Sequence, residues 1–247
     1  MRGMNEALEA ILSPRSVAII GASDDRNKVG GRPLHYLLRF GFRGLVHPIN
    51  PNRREVQGVR ALPDLDAIDT APDAAVIAVA GDDAVAAVAA CARCGVKCVI
   101  VMASGFGEIG PSGRAAQQAM LASAQAAGMR LIGPNAQGVA NFSNGSVLNF
   151  STMFMEVEPA DGPIAIVSQS GAASVVPFAN LRAAGFGVRY LIASGNEADL
   201  GVPEFARAVV ADPAVRVLLV YVESLRNPQM LAEAAHRAAQ RGVAMIL

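Results

Sequence analysis

Uninterrupted apolar runs recur along the chain, each ending on glycine or a polar turn. Over the first 132 residues they are Val17–Ile20, Leu45–Ile49, Ala74–Val79, Cys98–Met102 and Arg130–Ile132. Stretches with helical spacing separate them, near Pro33–Phe40, Asp82–Cys94 and Pro111–Ala127. Continuous rather than alternating hydrophobicity marks strands covered on both faces, so the pattern predicts a doubly wound α/β domain. Residues 141–162, NFSNGSVLNFSTMFMEVEPADG, break the rhythm and predict a connecting segment. The rhythm restarts at PIAIVSQSGAAS with a strand, a turn and a helix. Strands at Val188–Ile192, Val215–Val222 and Val243–Leu247 follow, with helices near Val202–Ala211 and Pro228–Arg241. Two α/β domains joined near residue 150 are expected. The final apolar strand has no helix after it to cover it, so the second domain is expected to be incomplete.

Composition narrows the function classes. The 247 residues are 52% hydrophobic and 17% charged, enough to build two buried cores and too apolar for disorder. Lys and Arg total 21, as do Asp and Glu. Without a positive surplus to neutralise phosphates, nucleic acid is not expected as a partner. Glu6 and Glu9 interrupt the only apolar stretch near the start, which therefore lacks the pattern of a signal peptide. The uncharged, apolar-looking stretch 163–181 carries Ser168, Gln169, Ser170, Ser174 and Asn180, too polar for a membrane span. A soluble, cytoplasmic chain without membrane association is expected. Cys91, Cys94 and Cys98 lack a fourth ligand or a nearby histidine, so they predict a helix end and a strand start, and no metal site.

The stretch SVAIIGASDDRNKVGGRP (16–33) reads as a strand emptying into a phosphate-cradling loop, with Pro33 suited to the first turn of a helix. It lacks the full G-x-G-x-x-G of a dinucleotide site. Close backbone approach to a phosphate favours a residue without Cβ, which makes Gly21, with Ala22 and Ser23, the candidate contact. Arg26 and Lys28 would add charge for a pyrophosphate, or form a solvated loop face. At the second strand's end Asn50, Pro51, Arg53 and Arg54 stand where an NAD site would carry an acidic residue. Arginines there suit a phosphorylated ribose, as in NADP or coenzyme A, or form an ordinary solvated turn. The same crevice should receive AGDD (80–83), SGFGE (104–108) with Ser104 and Gly105, and GPNAQG (133–138) with Asn135. In the second domain, SQSGAAS opens a helix whose free N–H groups, with the Ser168 and Ser170 hydroxyls, suit a phosphate. Ser170 does not stand in the G-x-S-x-G of a hydrolase nucleophile.

Taken in order, SVAIIGAS…KVGGRPL, HPINPN, SGFGE, IGPNAQG, IVSQSGAAS and GNEADLG resemble the nucleoside-diphosphate-forming (ADP-forming) acyl-CoA synthetases, relatives of the succinyl-CoA synthetase α subunit. The resemblance runs from about residue 10 to the end. It implies a Rossmann-like CoA-binding domain over 10–145 and a flavodoxin-like domain over 160–247. It also implies a reaction in which acid, coenzyme A and ATP give acyl-CoA, ADP and phosphate through a phosphohistidine. The Gly21-Ala22-Ser23 loop would hold the nucleotide part of coenzyme A. Ser168, Gln169, Ser170 and Gly171 would receive the phosphoryl group, with Gly195 and Asn196 nearby and Glu223 orienting the imidazole. ATP and magnesium would come through an ATP-grasp domain or subunit outside this chain, in an oligomeric assembly.

The sequence departs from this family at its histidines. His35, His47 and His236 all lack the Ser-His-Thr-Gly or Gly-His-Ala-Gly context, so the chain alone is expected to be inactive. Ala80 replaces a usual proline, and Gln137 a frequent leucine. Two other readings fit the architecture: a non-catalytic CoA- or nucleotide-sensing module, for example fused to an acetyltransferase, and an NADP-binding oxidoreductase domain.

Overall fold

The apolar runs become the centres of two sheets in a computed structural model that describes residues 2–247. The chain begins with α1 (Arg2–Leu12), β1 (Ser16–Ile20), α2 (Arg32–Arg39) and β2 (Leu45–Ile49). A small hairpin of β3 (Glu55–Val56) and β4 (Val59–Arg60) precedes β5 (Ala74–Ile77), α3 (Gly81–Cys94) and β6 (Cys98–Val101). Then come α4 (Pro111–Ala126), β7 (Arg130–Ile132), and a second hairpin of β8 (Gly138–Asn141) and β9 (Ser146–Asn149). The remainder is α5 (Met153–Glu156), β10 (Ile164–Ser168), α6 (Gly171–Ala183), β11 (Val188–Ala193), α7 (Val202–Ala211), β12 (Val217–Tyr221), α8 (Pro228–Gln240) and β13 (Ala244–Ile246).

The first sheet is wholly parallel in the order β2-β1-β5-β6-β7. Every residue of β5 and β6 is buried, as continuous apolar strands between two helical layers must be. The second sheet runs β13-β12-β10-β11-β8-β9, its first four strands parallel and β8 antiparallel to β11. Pro33 sits in the first turn of α2, as its fixed φ favours. Among the described residues, no helix is long and apolar enough to cross a membrane.

Two features depart from the sequence pattern. The segment 141–162 is not a bare connector, because it contains β9 and α5. Its polar residues hid the strands: Asn141, Ser146 and Asn149 are buried with the apolar ones. Asn141 Nδ2 donates to the Leu12 carbonyl at 2.8 Å, and Asn149 Oδ1 accepts from Ser151 N at 2.7 Å. The second feature is α1, whose Ala7, Leu8, Ile11 and Leu12 are buried in a core shared by both sheets. The α2 helix also bridges the two units. Its Tyr36 hydroxyl donates to the Ser151 carbonyl, and the ring meets Phe154 edge-on at 5.6 Å.

At the amino ends of the strands, Asp73 accepts from Lys97 Nζ at 2.7 Å, from Arg15 N at 3.0 Å and from Arg15 Nε at 3.3 Å. Burial works against its charge, but these bonds outweigh it and hold the carboxyl down at about 2. A depressed native value gives stability that is present above the ordinary carboxylate range and lost as pH falls through the native value. Asp73→Asn is therefore expected to cost about 2 kcal/mol at pH 7. In urea unfolding, the gap to wild type should narrow between about pH 4 and pH 2. A gap independent of pH would contradict this account of the network.

Candidate functional site

The first sheet's strand order reverses beside β1, so the chain leaves β1 and β5 in opposite directions and opens a crevice at their carboxyl ends. A cleft of about 660 Å³ lies there, lined by Gly21, Ile49, Asn50, Pro51, Leu65 and Val79. The loop after β1 forms one wall. Its turn is tied to β2 by Gly21 N and Ala22 N, which both donate to the Ile49 carbonyl. Asn50 Nδ2 donates to the Ala22 carbonyl at 2.8 Å, so Asn50 shapes the loop. Ser23 N donates to the Gly30 carbonyl and closes the loop on itself.

The need for glycine at 21 arises differently from the sequence expectation. Gly21 has φ +82°, and a Cβ there would stand 2.7 Å from Val79 Cγ1. The constraint is the turn and its packing against the segment after β5, as well as any ligand above it. Gly31 is constrained more severely, since its Cβ would lie 2.0 Å from the Asp25 carbonyl oxygen.

Arg53 and Arg54 flank a neighbouring groove of about 440 Å³, where Arg60 of the β3–β4 hairpin joins them. Arg53 lies 3.7 Å from Asp24, and both side chains are largely exposed. Lys28 is exposed on the loop. The structure thus gathers Gly21, Ala22, Ser23, Asn50, Pro51, Arg53 and Arg54 along one cleft and its rim. Ser104, Gly105 and Asn135 belong to a different cluster.

That second cluster forms where the loops after β6, β7 and β11 meet. Glu108 accepts from Gly105 N at 2.6 Å and from Phe106 N at 3.2 Å. It also accepts from Asn196 Nδ2 at 2.5 Å, across the two units. Burial opposes its charge, yet these bonds keep the carboxyl below the usual range. Asn135, with φ +58°, faces Asn196 at 3.4 Å, and Ser104 is exposed beside them.

The second sheet repeats the topological logic. Its order reverses beside β10, so the turn after β10 meets the segment after β12. Gln169 makes that junction. Its Oε1 accepts from Glu223 N at 2.6 Å and Ser224 N at 2.9 Å, and its Nε2 donates to Glu197 Oε2 at 2.8 Å and to the Ser224 carbonyl. Glu197 is 4% exposed, and its Oε1 accepts from Ser194 Oγ at 2.6 Å and Val202 N at 2.8 Å. Burial lifts its carboxyl above the ordinary range despite these bonds.

The two serine hydroxyls are spent inside the turn. Ser168 Oγ donates to the Ser170 carbonyl at 2.7 Å and accepts from Ser170 N at 3.0 Å, while Ser170 Oγ caps Ala173 N at 3.3 Å. The backbone N–H groups of Gly171 and Ala172 remain as the donors a helix's first turn cannot pair with its own carbonyls. Gly195 N donates to the Gln169 carbonyl, and Glu223 presents an exposed carboxylate beside this junction.

Residues 15–141 match the family described as CoA binding domain, and residues 161–247 match the succinyl-CoA ligase like flavodoxin domain. The chain belongs to the CoA-binding domain family. Over its full length it is 33% identical to a trans-feruloyl-CoA synthase from an unknown prokaryotic organism, of which it spans 35%. It is 28% identical to the α subunit of an ADP-forming acetate–CoA ligase of Pyrococcus furiosus, over 95% of this chain and 51% of that subunit. The apo structure of a dinucleotide-forming acetyl-coenzyme A synthetase from Ca. Korarchaeum cryptofilum superposes with TM-score 0.87 at 30% identity, covering 95% of this chain and 50% of that one. The chain thus spans between a third and about half of the curated relatives named here.

Within the CoA-binding domain, the three cysteines are free thiols at the end of α3 and the start of β6, and burial pushes Cys91 up to about 12. His35 lies on α2 and His47 on β2, while His236 pairs with Gln240 along α8. Glu108, Glu197 and Gln57 carry loop contacts that sequence reasoning did not assign. The two glutamates lay inside quoted motifs, SGFGE and GNEADLG, whereas Gln57 sits in an unremarked turn.

Gln169 is 8% exposed and makes four bonds, so its loss would take the partner from one Glu197 oxygen, Oε2, and from three backbone groups. Gln169→Ala is expected to cost about 2–4 kcal/mol, because each buried polar group left unpaired costs about 1–3. Urea unfolding and limited proteolysis at residues 222–227 check this. Wild-type stability with an uncut segment would remove Gln169 as the junction.

Proposed function

We propose that this chain is the CoA-binding portion of an ADP-forming acyl-CoA synthetase. The observation that carries the proposal is the cleft at the β1–β5 switch point, with a closed glycine loop on one wall and three arginines around the adjoining groove. These residues fit coenzyme A. The apolar cleft suits an adenine ring. The N–H groups of Gly21, Ala22 and Ser23 already donate to the Ile49 and Gly30 carbonyls, so Lys28 and the N–H groups of the loop's far limb, at Val29 and Gly30, would meet the pyrophosphate. Arg53 and Arg54, with Arg60 beside them, suit the 3′-phosphate that distinguishes coenzyme A from its dephospho form. Membership of the CoA-binding domain family supports the same ligand.

The second crevice would serve phosphoryl transfer. N–H groups at the start of α6 would stabilise a phosphate, and Glu223 would orient the imidazole of a histidine carried outside this chain. ATP and magnesium would enter through an ATP-grasp domain or subunit also outside it. The names of the relatives, ligases and synthases that form CoA thioesters, support that assignment. The cluster of Glu108, Asn135 and Asn196 lies between the two units and would border the path of the acyl group.

Calorimetric titration of the chain tests the arginine assignment. Coenzyme A should bind about tenfold or more tightly than dephospho-CoA, the effect of one charged hydrogen bond worth at least about 1.5 kcal/mol. Arg53→Ala/Arg54→Ala should close that gap while leaving dephospho-CoA affinity unchanged. Equal affinities in the wild type would remove these arginines from the 3′-phosphate, and preferential binding of NADP would favour an oxidoreductase domain.

A further inference from the structure

The β3–β4 hairpin adds only Val56, with Val59 packed beside it, to the core, yet its turn is fastened to both limbs of the loop after β1. Gln57 Nε2 donates at 2.8 Å to the Ser23 carbonyl and at 2.8 Å to the Gly31 carbonyl, which lie at opposite ends of the loop. Its backbone N donates at 2.8 Å to Asp24 Oδ1, whose other oxygen faces Arg53. Gln57 holds φ +49°, a conformation that a residue with Cβ adopts at a cost. The surrounding contacts must hold it there.

We infer that Gln57 is a positioning residue that latches the loop in its anion-accepting form. The inference rests on the coenzyme A reading and adds to it the device that keeps the loop ready. A loop that binds a phosphate must turn N–H groups toward the ligand and carbonyl oxygens away from it. The two donors of one amide engage the Ser23 and Gly31 carbonyls together, fixing both oxygens on the hairpin side. The same hairpin carries Arg60 into the arginine groove. One small element thus connects the loop proposed for the pyrophosphate to the groove proposed for the 3′-phosphate. The side chain is long enough to reach both limbs, and asparagine, one methylene shorter, is not.

The test compares wild type with Gln57→Gly and Gln57→Asn. Glycine accepts the positive φ and removes only the amide, so the turn itself survives. Amide hydrogen exchange should speed up about tenfold at Ser23 and Gly31 in both variants and stay unchanged in β5 and β6. Affinity for coenzyme A and for dephospho-CoA should fall by the same factor, about tenfold, because the loop faces the pyrophosphate that both share. Wild-type exchange in the loop would overturn the latch. So would a loss confined to coenzyme A, which would place Gln57 at the 3′-phosphate instead. If the wild-type chain binds neither nucleotide, the coenzyme A reading fails, and the exchange comparison alone decides whether Gln57 holds the loop.

Discussion

Asp199 closes the open edge of the first sheet. β7 is an edge strand, and an uncovered parallel edge exposes a row of unpaired backbone groups. The segment after β11 runs along it: Leu200 N donates to the Leu131 carbonyl, Ala198 N to that of Gly133, and Asn196 N to that of Pro134. The Asp199 carboxylate fixes the register, forking onto Arg130 at 2.7 Å through both oxygens and accepting from Leu131 N at 3.0 Å. Arg130 is held firmly charged, chiefly by that bidentate bond. A bidentate pair restricts both distance and angle, so a slip of one residue along β7 would break every one of these contacts.

This seam sets the relation between the two crevices. The bonds run in opposite order along the two segments, from Leu200 at Leu131 to Asn196 at Pro134, so the start of the segment, just after β11, meets the loop at the carboxyl end of β7. Glu108 can then reach Asn196, and the β8–β9 hairpin can extend the second sheet although the chain has only just left the first. The α2 helix, which starts at the end of the glycine loop, packs on that hairpin through Tyr36. A ligand ordering the loop would therefore act on an element already docked against the second unit.

The sequence shows the parallel strands and the turns after them plainly, since continuous apolar runs followed by glycine leave few alternatives. It hides the β8–β9 hairpin because that hairpin is antiparallel and buries asparagine and serine, and the amide of Asn141 finds its partner in distant Leu12. The same limit applies to function. SQSG marks a phosphate-type helix start, yet the serine hydroxyls that make it conspicuous are consumed within the turn. The side chains of Gln169 and Gln57 bond across 26 or more residues in sequence, Gln169 reaching Glu197 across 28, and no local spacing encodes such contacts. Glycine 21 is legible as a necessity, but its reason, Val79 beneath it, is a tertiary contact.

The central claim is that the β1–β5 crevice takes coenzyme A. Amide chemical-shift mapping of the chain during addition of coenzyme A tests it most directly, because it reports position as well as binding. The account predicts saturable shifts concentrated at 21–31, at 50–54 and at Val79, with smaller ones at the Glu108–Asn196 cluster. Shifts confined to the amino ends of the strands around Asp73, or none at saturating coenzyme A, would contradict it.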